Sequence, residues 1–376
     1  MTILTNPFTT SGYVSAEYFC DREDETNQLL SEIKNGNNVA LISTRRMGKT
    51  GLILHCFQDP LIQKKYHTFF VDIYATKSLR DFVFSLSKTI LENLKPTGKK
   101  AIEKFWNTLK SIQAGINFDI GGNPSFNLQL GDIHAETVTL DEIFKYLSMA
   151  DKPCIIAIDE FQQISSYAEK NIEALLRTHV QHTNNARFIF AGSQRHLMGN
   201  IFFSPSRPFY QSVSSIYLNS IDLYKYIEFA TYHFKKGEKD INPDLIESIY
   251  NQFDGTTWYM QKILNVLYGI TPRYKKADKS LLPIAIDNIL DSYKYIYSEM
   301  LFRIPEKQKE LMIALAKESK AQAITSGGFV QKYKLKSPSS VQAALKGLLE
   351  KDFVTHEQGI YQIYDKFFRL WLTNNF

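Results

Sequence analysis

Four consecutive apolar residues, Val39–Ile42, run straight into Ser43-Thr44-Arg45-Arg46-Met47-Gly48-Lys49-Thr50, and Gly51 to Phe57 then follow with a helical pattern. A short buried strand, a tight loop and a helix in direct succession fit few architectures other than a parallel α/β sheet. The loop matches GxxxxGK[ST] with Ser43 in place of the first glycine. In such a loop successive backbone N–H groups curl around an anion. The helix starting near Lys49 adds the positive end of its dipole, so the spacing predicts a polyphosphate site. Lys49 is expected to reach the β- and γ-phosphates and Thr50 to ligate Mg²⁺, while Gly48 lets the backbone approach closely. Ser43 is small enough to turn tightly where the glycine is missing.

A second apolar run, Cys154–Ile158, ends in Asp159-Glu160. A carboxylate pair at the end of a buried strand suits an ion and a water. Asp159 would hold Mg²⁺ and Glu160 would polarise the attacking water. A third run, Phe188–Ala191, ends in Gly192-Ser193-Gln194. Ser193 is the candidate γ-phosphate sensor and Gln194 the runner-up, with a helix N-cap as the competing explanation. Arg207, in Ser206-Arg207-Pro208-Phe209-Tyr210, is placed either as an arginine finger for a neighbouring subunit or as a structural arginine. Together these residues predict ATP and Mg²⁺ as ligands.

Phe69–Ile73 and Ile216–Ile221 read as two further strands. Amphipathic helices lie between the runs: Leu29, Leu30 and Ile33 share one face, Phe82, Leu86, Ile90 and Leu94 another, and Asn171–His182 carries Ile172, Leu175, Leu176 and Val180. Thr139 with Glu142 reads as a capping box. Ile116, Phe118 and Ile120 alternate, as do Phe126, Leu128 and Leu130, around Gly121-Gly122-Asn123-Pro124, which predicts an inserted β-hairpin. After about residue 221 strands are not expected until the C-terminus, and helices are predicted over 222–234, 243–253 and 258–268. His179 and His182 are three apart on a helix without an evident third ligand, so they are not read as a metal site.

With 376 residues, 44% hydrophobic and 13% aromatic, the chain has ample core for two or three domains of about 150 residues each, and wholesale disorder is excluded. Cys20, Cys56 and Cys154 lie far apart without a CxxC pair, which argues against a zinc ribbon or disulfide scaffold. No apolar run approaches a membrane span and residues 1–7 do not resemble a signal peptide, so a cytoplasmic, soluble protein with no membrane partner is expected.

The residues so far carry a family resemblance. Phe19-x-Asp21-Arg22-Glu23-x-Glu25 precedes the loop, the loop has the pair Arg45-Arg46, and Ile158-Asp159-Glu160-Phe161-Gln162 is followed by Ala191-Gly192-Ser193. This resembles the archaeal-type ATPases of the AAA+/STAND branch over nearly the whole chain. The resemblance implies an AAA+-like P-loop sheet flanked by helices (1–220), a helical lid (221–295) and a C-terminal winged helix-turn-helix (296–376). It also implies ATP binding with Phe19 and Arg22 on the adenine side, and Gly51 beside the loop. Gly255-Thr256-Thr257-Trp258-Tyr259 departs from the Gly-x-Pro that the family often has in its lid.

The last segment supports the same layout. Glu306–Lys317 reads as a helix, Gly327–Tyr333 as a second, and Ser337-Pro338 opens a third with Val341, Leu345, Leu348 and Leu349 as its buried face. Val354–His356 and Ile360–Ile363 around Gly359 form the wing, and an aromatic helix closes the chain from Asp365. Residues 296–376 carry 12 Lys and Arg against 8 Asp and Glu, a balance of +4 out of the chain's +5. Lys332, Lys334, Lys336 and Lys346, with Gln342 and Ser340, are the candidate contacts to duplex DNA, with protein docking or autoinhibitory packing as the alternative; for the chain as a whole a homo-oligomer or a protein partner is a further candidate. Three functions fit: an ATP-hydrolysing switch, a nucleotide-gated DNA-binding or protein-docking regulator with negligible hydrolysis, and a scaffold that binds nucleotide for stability. Glu160 favours the first, because pure binding has no use for a water-polarising carboxylate.

Overall fold

The computed structural model describes residues 5–96, 99–112, 116–118 and 124–376. The five apolar runs pair into one parallel sheet: β1 (Val39–Ile42), β2 (His67–Asp72), β3 (Cys154–Asp159), β4 (Ala186–Gly192) and β5 (Ser214–Tyr217), in the order β2-β3-β4-β1-β5. Side chains alternate between two cores, as the two-residue period of a strand requires. Val39, Leu41, Ile155, Ala157, Ile189 and Ala191 pack with Leu29 and Ile33 of helix Glu23–Lys34 and with Leu52 and Ile53 of helix Lys49–Phe57. Ala40, Ile42, Ile156, Ile158, Phe188 and Phe190 face the opposite core with Phe82, Leu86, Ile143 and Leu147. Burial on both faces is why these strands read as unbroken apolar runs. The crossover from β1 to β2 skips the two strands between, and the chain returns through β3 and β4 to lie beside β1. Strand order therefore reverses beside β1, where open α/β sheets place their ligands.

The sequence expectations need correction in four places. The last strand is Ser214–Tyr217, not Ile216–Ile221, because its register is set by β1: Val39 lies opposite Ser214 and Ile42 opposite Tyr217, and β1 has only four residues to pair. Thr139 and Glu142 do not cap a helix; they sit inside helix Glu136–Ser148, buried. Glu142 accepts the Ser111 N–H at 2.9 Å and its hydroxyl at 2.6 Å, while Thr139 Oγ1 lies 2.9 Å from the same hydroxyl, so the pair fastens the 111 turn to the helix. The hairpin is present as Ile116–Phe118 antiparallel to Pro124–Phe126, with its turn outside the described residues, but Leu130 belongs to a short 3₁₀ turn. Beyond residue 221 a two-residue parallel pairing joins Asp240–Ile241 to Lys276–Ala277.

The described chain divides into two bodies. One is Thr9–Tyr226 with Thr256–Tyr259, and holds the sheet. The other is Ile227–Gly255 and Met260–Phe376 with the residues up to Phe8. In the second, helices Glu306–Glu318, Gly327–Lys332 and Pro338–Glu350 and the antiparallel pair Val354–Glu357 and Ile360–Ile363 build the winged helix. The Ser337 hydroxyl accepts the Ser340 N–H, and Val341, Ala344, Leu345 and Leu348 form the buried face. Leu349, expected in that face, is half-buried. Helix Lys366–Asn375 then buries Phe367, Phe368, Trp371 and Leu372. Among the described residues no helix is long and apolar enough to cross a membrane.

An ion cluster fixes the second body. Lys366 Nζ donates to Asp254 Oδ2 at 2.6 Å and to the Phe253 carbonyl at 2.8 Å, and Lys320 Nζ reaches Asp254 Oδ1 at 3.0 Å. Burial pushes the Asp254 carboxyl up, but the two ammonium groups more than reverse this and hold it below the usual carboxylate range. A depressed folded value stabilises above the unfolded pKa of about 4 and is lost as pH falls through the folded value. Asp254→Asn is therefore expected to cost about 1 kcal/mol at neutral pH, discounted for the half-exposed carboxylate. The difference from wild type should shrink as pH falls below about 4 and the folded carboxyl takes up its proton, as checked by denaturation across pH.

Candidate nucleotide site

The C-terminal ends of β1, β3 and β4 bring the predicted residues together. Lys49 and Thr50 open helix Lys49–Phe57 behind Gly48, whose φ of +94° is a conformation only glycine adopts cheaply. Ser43, at the first loop position, does not have a positive φ, so a glycine is not required there. Its N–H reaches the Gly192 carbonyl at 3.3 Å, and its hydroxyl donates to the Thr44 carbonyl and sits 3.3 Å from Lys49 Nζ. Lys49 is only 6% exposed. Burial pulls its ammonium below the usual lysine range, with the Glu160 and Asp159 charges acting in the opposite direction. Burial likewise raises the Asp159 carboxyl, opposed by the Thr50 hydroxyl and Lys49. The Thr50 hydroxyl donates to Asp159 Oδ2 at 2.7 Å.

Glu160 follows Asp159 with φ +56°, a left-handed conformation costly for a non-glycine residue. Phe161, fully buried against Phe190, Phe202 and Phe209, anchors the turn that holds it there. Glu160 Oε2 accepts the Ser193 hydroxyl at 2.6 Å and also the Gln162 amide. Arg45 Nε lies 3.4 Å from Ser193 Oγ, and its guanidinium is over the Tyr74 ring at 5.7 Å. Gln162 is only 4% exposed and adds to the site an amide that the strand-end pattern does not single out. Gly192 matters by its missing side chain, since a Cβ would come 2.3 Å from Met198 Sδ and 2.6 Å from Gln162 Oε1. Gly192→Ala is expected to cost about 1–3 kcal/mol in thermal unfolding, because Met198 and Gln162 must both shift to admit the methyl group.

Other predicted residues sit differently. Arg22 is 3% exposed and its guanidinium bonds the Met47 carbonyl at 3.2 Å, the Asn219 carbonyl at 2.6 Å and the Glu25 carboxylate. Phe19 is half-buried, stacked on His55 at 4.5 Å, and lies against Gly51, where a Cβ would meet its ring at 3.3 Å. Tyr13 and His55, missed in the sequence, complete this aromatic group: Tyr13 Oη is 2.9 Å from His55 Nδ1. Arg46 turns its guanidinium onto Trp258, 4.3 Å from the ring centroid, and bonds the Tyr259 hydroxyl. Gln194 caps helix Arg195–Phe203 by backbone position, without a side-chain bond to the cap. Arg207 Nη2 pairs with Glu173 at 2.5 Å in the same chain. His179 stacks on Phe144 and lies 3.2 Å from Asp141. Among the described residues no group of three or more His, Cys, Asp or Glu could hold a metal; the oxygen pair at Thr50 and Asp159 is instead the kind that shares a hard ion with substrate phosphates.

A parallel sheet carrying a phosphate loop after β1, Asp-Glu after β3 and a polar end on β4, in a chain that also carries a winged helix, has the AAA+-like fold of P-loop ATPases. The chain belongs to the family described as "ATPase domain predominantly from Archaea", which matches residues 19–263. The description "Probable winged helix domain" matches residues 295–374. No curated protein matches the chain in sequence. Among solved structures it is similar to a Walker-type ATPase of Pyrococcus abyssi, with 18% identity and a TM-score of 0.64 over 97% of this chain and 99% of that one. It is also similar to the Aeropyrum pernix ORC2 protein in ADPNP–ADP complexes (14%, TM-score 0.58, over 98% of this chain and 96% of that one). The ORC1 protein of Aeropyrum pernix in complex with DNA is a third (12%, TM-score 0.56, 99% and 97%). At these identities the likeness is one of fold.

Proposed function

We propose that the chain is a Mg²⁺-dependent ATPase that acts as a nucleotide-driven switch, with duplex DNA as the partner of its winged helix. The observation that carries the reading is the convergence of Thr50 Oγ1 on Asp159 Oδ2 at 2.7 Å beside the buried Lys49. A hydroxyl and a carboxylate fit a hard cation. Thr50 would ligate Mg²⁺ and Asp159 would hold it; when bound, the ion neutralises charge on the phosphate oxygens. The loop from Ser43 to Gly51 would cradle the phosphates, Lys49 would pair with their charge, and Glu160 would orient the attacking water and accept its proton. Ser193 would exchange Glu160 for a phosphate oxygen. Phe19, half-buried beside Gly51 and stacked on His55, would be the base platform. Arg207 would act as a finger only on leaving Glu173.

The bonds of Ser193 and Gln162 to Glu160 favour slow turnover, because the carboxylate oxygen they occupy is unavailable to water until they are displaced. Calorimetric titration with ATP, with and without Mg²⁺, tests the binding half of the reading; it predicts tighter binding with the ion. An absence of binding in both conditions would remove it.

The winged helix supports DNA as partner through Lys334, Lys336 and Lys346, all exposed, and through Lys336, Lys307 and Ser339, which line one open hollow at the start of helix Pro338–Glu350. Lys332 is paired with Glu318 at 2.5 Å and Lys346 lies 3.9 Å from Glu350. Gln342 is the exposed base-edge candidate. Four lysines on four phosphates give a slope of log K against log salt near −3.6, whereas Lys334 and Lys336 alone give about −1.8. Fluorescence anisotropy with duplex DNA at several salt concentrations reads this slope. Replacing the four lysines by alanine should weaken all sequences alike and leave ATP turnover intact.

A further inference from the structure

The crest of the phosphate loop is held from behind. The Arg46 carbonyl accepts the Trp258 backbone N–H at 3.1 Å. The Met47 carbonyl accepts the Thr257 hydroxyl at 3.2 Å and the Arg22 guanidinium at 3.2 Å. In a trans peptide the carbonyl and the following N–H point in opposite directions. Donors that fix these two carbonyls on one side therefore turn the N–H groups of Met47 and Gly48 to the other. Neither N–H has a backbone acceptor among the described residues. Two adjacent N–H groups without a backbone acceptor are the donors of an anion nest.

The first turn of helix Thr257–Ile270 is fastened in turn by Arg46. This residue is left-handed at φ +68°, its guanidinium lies 4.3 Å from the Trp258 ring centroid and 5.0 Å from that of Tyr259, and it bonds the Tyr259 hydroxyl. The Trp258 indole N–H is tied to the Thr10 carbonyl at 3.0 Å. Thr257 Cγ2 sits against the face of Gly48, 3.8 Å from where a Cβ would be.

We propose that Thr257, Trp258 and Arg46 are positioning residues for nucleotide: through the crest carbonyls they keep the loop in its phosphate-binding shape, and Arg46 acts on the lid turn rather than on phosphate. This rests on the nucleotide reading above and names what sets the affinity of that site. Any partner or nucleotide state that shifts residues 256–259 would change affinity without touching the ligand.

The test is calorimetric titration of the full chain with Mg²⁺·ADP. Thr257→Val removes one donor at nearly constant shape and should weaken ADP about fivefold to tenfold, the usual worth of such a bond. Thr257→Ser, which restores the hydroxyl, should recover affinity to within about twofold of wild type. In turnover, Thr257→Val should raise KM and leave kcat unchanged. If Arg46 acts through Trp258, the Arg46→Met, Trp258→Leu double variant should lose no more affinity than the worse single one. Thermal unfolding without nucleotide confirms that each variant is folded. Wild-type binding with an unchanged Thr257→Val, or losses from Arg46→Met and Trp258→Leu that multiply in the double variant, would overturn this inference alone. No ADP binding by the wild type would overturn the nucleotide reading and this inference with it.

Discussion

Lys49→Ala is expected to abolish nucleotide binding while leaving the apo protein folded. The ammonium is buried with a hydroxyl, Ser43 Oγ, at 3.3 Å. Its desolvation is a cost already incurred in folding, and burial holds its pKa down. A phosphate anion would restore a full charge partner at that spot. Charge-assisted bonds to phosphate contribute about 1.5–3 kcal/mol, so affinity should fall about 10- to 150-fold, which removes binding at concentrations near the wild-type Kd. Removing a desolvated cation should not lower the unfolding midpoint of the nucleotide-free chain. Calorimetry paired with thermal unfolding separates the two effects, and unchanged ATP affinity would remove Lys49 from the site.

Glu160→Gln should keep ATP binding and lose hydrolysis by about 10²–10⁴-fold, the usual contribution of a positioned general base. Shape and the left-handed backbone at φ +56° are kept, but the amide cannot take up the proton of the attacking water. Because Glu160 Oε2 accepts from Ser193 and Gln162, an amide oxygen can keep one of those bonds, so misfolding is not expected. Single-turnover phosphate release checks the rate, and titration with ATP checks that affinity is retained.

The sheet and the front of the site were legible because they depend on local patterns. Val39–Ile42 and the helix Glu23–Lys34 were readable from burial periodicity, and Lys49, Thr50, Asp159 and Glu160 from strand-end motifs. What was not legible is what long-range hydrogen bonds decide. Thr257 and Trp258 reach the loop from about 210 positions away and act through backbone carbonyls, which carry no side-chain signature. Arg46 is readable as a residue of the phosphate loop and Arg22 as one of the adenine side, yet an arginine among aromatics and carbonyls can as well be held by those groups. Thr139 and Glu142 have the spacing of a cap, but a buried Ser111 turn claims both side chains. The length of β5 is set by its partner, not by its own apolar residues.

Phosphate release from Mg²⁺·ATP, measured on the wild-type chain beside Lys49→Ala and Glu160→Gln, is the most direct test of one catalytic site built from the ends of β1, β3 and β4. The expected result is slow, Mg²⁺-dependent release by the wild type, none by Lys49→Ala, and ATP binding without release by Glu160→Gln. Release by Glu160→Gln at the wild-type rate, or no release by a wild-type chain that binds Mg²⁺·ATP, would contradict it.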